Sequence, residues 1–378
     1  MSDNSTIEWT NTTWNPTAGC TRASAGCDNC YAVKMTKRLE AMGQAKYAGL
    51  VGNGHFNGVV RTWEEALTQP LSWKKPRKVF VNSMSDLFHK DVPFEFIDRV
   101  FAVMALTPQH TYQVLTKRPD IMSAYMNDEA GSKITEAIKK LRLPTWMASI
   151  GNGLGKPSAS GNTSITGGKA TRVWPLPNVW LGTSCENQKA ADKRIPHLLR
   201  CPAAVRFISA EPLLGPLDIN AWMVSLDGFV VPDWPSTNTG PIHVDDGGVG
   251  IDWIIVGGEP GPNDRPCNIE WIRGIVKQCE AAEVACFVKQ LGRHVIDRND
   301  RGFDADEWFV ENNDGTFSPY QVDAWPSTVC VEHNINGFLE EYQGAPVRVH
   351  LTNKKGGDPS QWPADLRVRQ FPTEGATI

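Results

Sequence analysis

The sequence lacks the features that would place it in a membrane or outside the cell. No run of apolar residues approaches the roughly 18 that a transmembrane helix needs. The amino-terminal segment, MSDNSTIEWTN, has no basic, apolar and small-residue progression of the kind that marks a secretory signal. We therefore expect a cytoplasmic protein without a membrane partner.

An excess of basic residues is also absent. The 38 lysines and arginines are outnumbered by 42 aspartates and glutamates, which gives a net charge of −4. Broad binding to a polyanion needs clustered positive charge, so any nucleic-acid contact must be a local patch. With 41% hydrophobic and 21% charged residues, the composition is typical of a folded globular protein.

The nine cysteines are an odd number and are spread over 378 residues, which does not indicate a disulfide framework. Three of them, Cys20, Cys27 and Cys30, lie within eleven residues, with six residues between the first two and two between the last two. Thiolates are the usual ligands of iron-sulfur clusters, and close spacing lets one loop enclose one cluster. Three ligands for four irons leave one iron open.

An open iron suits radical S-adenosylmethionine (SAM) chemistry, in which SAM chelates that iron and is cleaved reductively to a 5′-deoxyadenosyl radical. A structural zinc site is an alternative, because it needs one more cysteine or a histidine, and His55 or His89 could supply that ligand. No second pair of cysteines with a two-residue spacing is present to complete such a site. Thiols without a metal are the remaining alternative.

Six short apolar runs recur along the chain, and each is followed by polar residues. They lie at 78–82, 112–116, 179–183, 205–209, 253–257 and 285–289. These runs are apolar on both faces, as strands buried in a parallel sheet are. Helical periodicity lies between or beside them, at 31–42, 97–104, 134–141 and 269–279. The alternation predicts an α/β fold, either an open sheet or a partial or complete (β/α) barrel of the TIM-barrel kind.

The regular alternation has clear limits along the chain. We expect residues 1–291 to form the barrel core. Stretches rich in Gly, Ser, Thr, Pro or Asp near 151–172 and 227–250 predict loop insertions into that core. From residue 292 the alternation fades, so residues 292–378 are expected to form a C-terminal extension.

Polar and charged residues follow the predicted strands, at the face where barrel active sites gather. Because charges are rarely buried unpaired, this convergence favours a functional site, with internal salt bridges as the alternative. We assign four of these residues to SAM binding: Ser83, Asp86, Ser184 and Glu186. We assign five others to the substrate and to catalysis: Lys117, Glu211, Glu259, Lys289 and Gln290. Arg118 is an alternative to Lys117 for contact with a carboxylate or phosphate.

Several motifs between residues 7 and 292 form an ordered set around the cysteine run. They are IEWT at 7–10, TWNP at 13–16, NSMSDLF at 82–88, LTKRP at 115–119, SAEPLLG at 209–215, VGGE at 256–259 and VKQLG at 288–292. Together they resemble a phage-associated three-cysteine family of the radical SAM superfamily. That family is distantly similar to spore photoproduct lyase, in which a Cys-Tyr pair also closes the cluster motif.

The resemblance carries implications for cofactors, reaction and partners. It implies a 4Fe–4S cluster and SAM as cofactors. Most radical SAM enzymes have an aromatic residue just before the last cysteine, where this chain has Asn29, so Tyr31 is the implied adenine contact. It implies an isomerase or lyase type of reaction on a nucleobase, such as a thymidine derivative in phage DNA.

The implied partners are DNA or a modified nucleotide and an electron donor such as flavodoxin or ferredoxin. The implied setting is a phage-encoded protein that acts in the host cytoplasm. A radical SAM enzyme acting on a peptide or small molecule, and a non-catalytic zinc-stabilised binding protein, remain the alternatives.

Overall fold

The structure is a computed structural model of the chain. The residues described here are 5, 7–141, 174–223, 250–261, 264–297, 309–311, 317–319, 347–349, 353 and 355–372. The predicted insertion at 151–172 lies outside these residues, as does the insertion at 227–250 except for its last residue. Most of the predicted C-terminal extension also lies outside them.

The described residues form helices and strands in alternation. The helices are α1 (Tyr31–Ala41), α2 (Glu64–Leu67), α3 (Phe94–Leu106), α4 (Pro119–Asn127), α5 (Ala130–Lys140), α6 (Gln188–Leu199), α7 (Asn220–Met223) and α8 (Ile269–Ala281). The first eight strands are β1 (Thr12–Trp14), β2 (Thr17–Ala18), β3 (Val51–Gly52), β4 (His55–Phe56), β5 (Arg61–Thr62), β6 (Lys78–Val81), β7 (Thr111–Thr116) and β8 (Val179–Ser184). The remaining strands are β9 (Val205–Ala210), β10 (Trp253–Gly257), β11 (Cys267–Asn268), β12 (Ala285–Gln290), β13 (Val295–Asp297), β14 (Phe309–Glu311), β15 (Phe317–Pro319) and β16 (Val347–Val349).

All six strands predicted from apolar runs are confirmed, as β6, β7, β8, β9, β10 and β12. Together with β1 they are the members of one seven-stranded sheet in the order β1-β6-β7-β8-β9-β10-β12. Neighbouring strands pair in parallel, for example with Val81 opposite Val114 and Val256 opposite Val288. The four predicted helices are confirmed as α1, α3, α5 and α8. Strand β1 was not predicted, because three residues are too short for a periodic signal.

Contacts divide the chain into two compact units. Unit 1 comprises Met1–Arg22, Cys30–Thr183 and Arg194–Arg206. Its core includes fully buried residues of α3, such as Ile97, Val100 and Phe101, and helix α3 packs against α5. The buried ring of Tyr125 on α4 lies 5.6 Å from that of Phe101. The hydroxyl of Tyr125 donates a hydrogen bond of 2.8 Å to the carboxylate of Asp98.

Unit 2 comprises Ala23–Asn29, Ser184–Lys193 and Phe207–Ile378. Strand β10 pairs with β9 on one side and β12 on the other, and α8 packs against β10 and β12. The buried ring of Trp253 lies 5.6 Å from Phe207 and 6.3 Å from Phe287. Helix α8 begins at a side-chain cap, since Asn268 accepts a hydrogen bond from the backbone N–H of Glu270.

The parallel sheet with intervening helices makes this an α/β protein, as the sequence predicts. Within the part of the chain that is described, no helix combines the length and the apolar character needed to cross a membrane.

Candidate functional site

The carboxyl ends of β6 and β7 lie side by side in unit 1, because the two strands pair in parallel. The segment after β6 supplies Asp86 and the segment after β7 supplies Arg118. Around this pair the structure brings together a set of polar side chains that we call the Arg118 cluster. Its members are Cys20, Thr21, Asp86, His89, Thr116 and Arg118.

The carboxylate of Asp86 has four internal hydrogen-bond donors. Its Oδ1 accepts from Thr116 Oγ1 at 2.6 Å and from the backbone N–H of Phe88 at 3.0 Å. Its Oδ2 accepts from the backbone N–H of Lys117 at 3.1 Å and from Arg118 Nη1 at 2.8 Å. The side chain of Asp86 is 7% exposed. This carboxylate fixes the turn after β7, so its contacts favour a positioning role over direct contact with SAM.

Arg118 connects Asp86 to the first cysteine. Its Nη2 donates to the carbonyl oxygen of Thr21 at 3.0 Å and to Thr21 Oγ1 at 2.7 Å. Its Nη1 also lies 3.7 Å from Cys20 Sγ. Burial opposes the charge of the guanidinium, but Asp86 and Cys20 outweigh it and raise the pKa of Arg118 above its usual range. A permanent cation therefore lies beside the sulfur of Cys20.

His89 is a buried neutral member of the Arg118 cluster. Its Nδ1 accepts from the backbone N–H of Asp91 at 3.2 Å, and its Nε2 lies 2.9 Å from Thr21 Oγ1. Because Nδ1 is an acceptor, we assign the proton to Nε2, which then donates to Thr21. Burial and the charge of Arg118 lower the pKa of His89, with Asp91 opposing. The ring is engaged on both nitrogens, which argues against the zinc role considered from the sequence.

Tyr31 and Ser83, both assigned to SAM, lie together in unit 1. Tyr31 is the first residue of α1 and is 51% exposed, and its hydroxyl donates to the carbonyl oxygen of Ser83 at 2.5 Å. Ser83 Oγ lies 3.1 and 3.2 Å from the amide atoms of Asn15. The phenol is thus oriented while its ring stays accessible to a ligand.

Lys46, which sequence reasoning missed, is hydrogen-bonded to the carbonyl oxygen of Asn15. Burial lowers the pKa of Lys46 to about 8, and the charge of Glu65 opposes this shift. Lys117, which was predicted, has a half-buried side chain with no ion-pair partner among the described residues. A lysine with a lowered pKa, such as Lys46, and a half-buried lysine, such as Lys117, are both suited to contact an anionic group.

The three clustered cysteines differ from the others in exposure. Cys20, Cys27 and Cys30 are half-buried, whereas the five other described cysteines are buried: Cys185, Cys201, Cys267, Cys279 and Cys286. No disulfide joins any of these eight residues. Burial raises the pKa of Cys201 and of Cys267 to about 12, which disfavours the thiolate that a metal requires.

The cysteines occupy distinct local positions. Cys20 follows β2, Cys27 ends the 3₁₀ turn Ala25–Cys27, and Cys30 precedes α1. Cys30 packs against a buried cluster that includes Tyr47 and Met84. No three His, Cys, Asp or Glu side chains in the described ranges gather closely enough to hold a metal ion. The donor chemistry of the three thiols, and not an assembled geometry, is what fits an iron-sulfur cluster.

In unit 2, Glu259 follows β10 and forms what we call the Glu259 cluster. Its members are Ala25, Asp28, Asn29, Glu259 and Arg265. Glu259 Oε1 accepts from Arg265 Nη2 at 2.7 Å, and Oε2 accepts from Arg265 Nε at 3.0 Å. Burial disfavours the charged carboxylate, but the hydrogen bonds and charge of Arg265 outweigh it and lower the pKa of Glu259.

The other residues assigned to the substrate also have internal partners in unit 2. Lys289 Nζ lies 3.1 Å from Glu211 Oε1 and 3.4 Å from Oε2, as an ion pair with both side chains mostly buried. Gln290 is buried and donates to the carbonyl oxygen of Gly258 at 3.0 Å. These contacts brace the ends of β9, β10 and β12; the assignment of the residues to substrate remains a prediction.

Ser184 and Glu186, assigned to SAM, are both buried at the end of β8. The backbone carbonyl of Glu186 accepts from the N–H of Leu214 at 2.8 Å. Its side chain packs against Gly26, where an added Cβ would lie 3.1 Å from Glu186 Cδ. Glu186 therefore supports the segment that carries Cys27.

Arg265 is the main residue that sequence reasoning missed. It lies in an irregular segment after β10, where nothing in the sequence distinguishes it from a solvated loop arginine. Its role is visible only through its contact with Ala25, which is 240 residues away in the chain. Thr21 was missed for a similar reason, since its partners Arg118 and His89 come from later segments.

The fold and these two clusters define an α/β protein with polar side chains concentrated after its parallel strands. The profile of a family described as "Protein of unknown function (DUF5131)" matches residues 4–353, and the chain belongs to that family. Searches of curated proteins and of solved structures gave no significant match.

Proposed function

We propose that this chain is a radical SAM enzyme in which Cys20, Cys27 and Cys30 bind a 4Fe–4S cluster. The observation that carries the proposal is the contrast among the cysteines: these three are half-buried in one short segment, while the other five that are described are buried. Three protein thiolates leave one iron of such a cluster for SAM. When bound and reduced, the cluster supplies the electron that breaks the C5′–S bond of SAM into methionine and a 5′-deoxyadenosyl radical.

The protein's own residues have separable tasks in this proposal. Arg118 keeps a positive charge beside Cys20, which favours the thiolate form of a cysteine. Asp86 holds Arg118 in place through their 2.8 Å contact. Tyr31, fixed by Ser83, offers its exposed ring to the adenine of SAM. Lys117 is available for an anionic group of the substrate.

For the substrate we propose a nucleobase, such as a thymidine derivative in phage DNA, with an isomerase or lyase type of outcome. The support is the ordered set of motifs that resembles the phage-associated family, together with the likeness of that family to spore photoproduct lyase. The corresponding partners are DNA or a modified nucleotide and a flavodoxin or ferredoxin as electron donor. The corresponding setting is the host cytoplasm.

Metal analysis tests the proposal. The protein is purified without oxygen, reconstituted with iron and sulfide, and analysed for iron, sulfide and zinc. We expect about four irons per chain, and a marked loss in Cys20→Ala, Cys27→Ala and Cys30→Ala. Cys201→Ala is the matched control, since its thiol is buried in unit 1, and it should keep its iron. One zinc without iron would instead support the zinc-stabilised binding protein.

The substrate class needs its own test. Nucleosides of cells or phage with and without the active chain are compared by mass spectrometry, and duplex and single-stranded DNA are titrated at several salt concentrations. A nucleic-acid enzyme should change a modified nucleoside and bind with an affinity that falls as salt rises. An unchanged nucleoside pool without DNA binding would favour a peptide or small-molecule substrate.

A further inference from the structure

The segment that carries Cys27 is tied down by the Glu259 cluster. Arg265 Nη1 donates to the carbonyl oxygen of Ala25 at 2.9 Å and lies 3.5 Å from Asp28 Oδ2. Asn29 Nδ2 donates to Glu259 Oε2 at 2.9 Å. Contacts to Ala25, Asp28 and Asn29 bracket Cys27 on both sides along the chain.

The carboxylate of Glu259 accepts four hydrogen bonds within this cluster. Its Oε2 accepts from Asn29, from Arg265 Nε and from the backbone N–H of Arg265, and its Oε1 accepts from Arg265 Nη2. The side chains of Glu259 and Arg265 are 6% and 11% exposed. Because Glu259 is buried and accepts four internal hydrogen bonds, its contacts favour a structural role over contact with a substrate.

A second buried carboxylate supports the same segment. A Cβ at Gly26 would lie 3.1 Å from Cδ and 3.2 Å from Oε2 of Glu186, so no larger residue fits at position 26 unless Glu186 moves. The turn itself is closed by two backbone hydrogen bonds, from Cys27 to Ser24 at 2.9 Å and from Asp28 to Ala25 at 3.1 Å. The turn that carries Cys27 belongs to unit 2, and its conformation is thus fixed by side chains of the same unit.

We propose that Glu259 and Arg265 are positioning residues that hold the turn carrying Cys27 in a single conformation. This inference deepens the proposed function, because that function gives the Cys27 thiol its task. Groups that orient a metal ligand without touching the metal raise affinity by restricting the ligand beforehand. If the turn is loosened, the Cys27 thiol is still present, but the cluster is bound with lower affinity.

Hydrogen exchange in the metal-free protein tests the anchor itself. In Glu259→Gln and Arg265→Lys, exchange of the amides of Cys27 and Asp28 should accelerate by about tenfold or more, since charged hydrogen bonds are lost or misaligned. The matched controls are Glu270→Gln and Arg273→Lys, which disrupt another Arg-Glu pair of unit 2 that does not contact the turn. These controls should leave exchange at Cys27 and Asp28 unchanged.

A milder variant and a second readout complete the test. Asn29→Ala removes a single contact with Glu259, and it serves if Glu259→Gln fails to fold. In all three variants we expect reconstituted iron to be lost to a chelator several times faster than in wild type, with Asn29→Ala the least affected. Unchanged amide exchange in folded Glu259→Gln and Asn29→Ala would overturn the proposal.

The two hypotheses fail in different ways. Faster exchange in the variants together with no iron uptake by the wild type would support the anchor and reject the cluster. Normal exchange in the variants with a stable cluster would reject the anchor and leave the cluster intact.

Discussion

Replacement of Asp86 by asparagine should destabilise the protein severely, because Asp86 is the common acceptor of the Arg118 cluster. The carboxylate accepts four hydrogen bonds, from Thr116, Phe88, Lys117 and Arg118. An asparagine of the same size must direct its NH₂ group at some of these donors. It also removes the counter-charge of a guanidinium that is only 13% exposed.

The expected magnitude follows from the burial of the pair. Removing one partner of a buried ion pair costs about 3–5 kcal/mol, and both side chains here are well below one-third exposed. We expect Asp86→Asn to lower the free energy of unfolding by about 3 kcal/mol, at the lower end of that range. Adding Arg118→Met should recover part of this loss, with a coupling energy of about 2 kcal/mol in the double-mutant cycle.

The assay is urea unfolding of the metal-free protein at neutral pH, followed by far-ultraviolet circular dichroism. Asp128→Asn is the matched control, because it breaks an Asp-Lys pair in unit 1 whose side chains are 63% and 38% exposed. Exposed pairs of this kind contribute little, so the control should unfold like the wild type. A loss below about 1 kcal/mol in Asp86→Asn, or strictly additive effects in the cycle, would show that Asp86 and Arg118 are not a coupled buried ion pair.

Three further predictions concern the scaffold. Tyr125→Phe should lower the free energy of unfolding by about 1–2 kcal/mol, because the buried carboxylate of Asp98 loses its hydroxyl donor; chemical unfolding measures this. Gly274→Ala should raise it by about 0.5–1 kcal/mol, because no described residue outside the helix's own backbone lies within 4 Å of the added Cβ in the interior of α8; thermal melting measures this. The pKa of His89 is lowered in the fold, so between that value and the ordinary 6.5 the unfolded chain binds more protons, and stability should fall as the pH drops through this window. The pH dependence should be weaker in His89→Gln, with buried His110, whose pKa is also lowered, contributing the rest.

Each of these predictions has a clear contrary result. An unchanged midpoint in Tyr125→Phe would mean that Asp98 finds another donor. A destabilised Gly274→Ala would mean that the space beside α8 is not open. If the pH dependence of stability is identical in wild type and His89→Gln, groups other than His89 cause the loss of stability at low pH.

The strands and helices could be predicted because burial leaves a direct trace in the sequence. Strands β6 to β10 and β12 are buried on both faces and appear as continuous apolar runs. Helix α3 shows its buried Ile97, Val100 and Phe101 at helical spacing. Strand β1 left no such trace, because three residues are too short for a periodic signal.

The candidate site was predicted in part. Asp86, Glu211 and Glu259 were located correctly after their strands, since charged residues that follow apolar runs are conspicuous. Which residues pair with each other was not predictable, because each contact joins segments that are far apart in the chain. Arg265 reaches Ala25 across 240 residues, and no periodicity or spacing encodes such a contact.

Reductive cleavage of SAM is measured directly by detecting 5′-deoxyadenosine with liquid chromatography and mass spectrometry. The anaerobically reconstituted protein is incubated with SAM and a low-potential reductant. We predict that the wild type and Cys201→Ala release 5′-deoxyadenosine, whereas Cys20→Ala, Cys27→Ala and Cys30→Ala do not. Equal product from the wild type and the three variants, or none from a wild type loaded with its reduced cluster, would contradict the assignment of these three cysteines to radical chemistry.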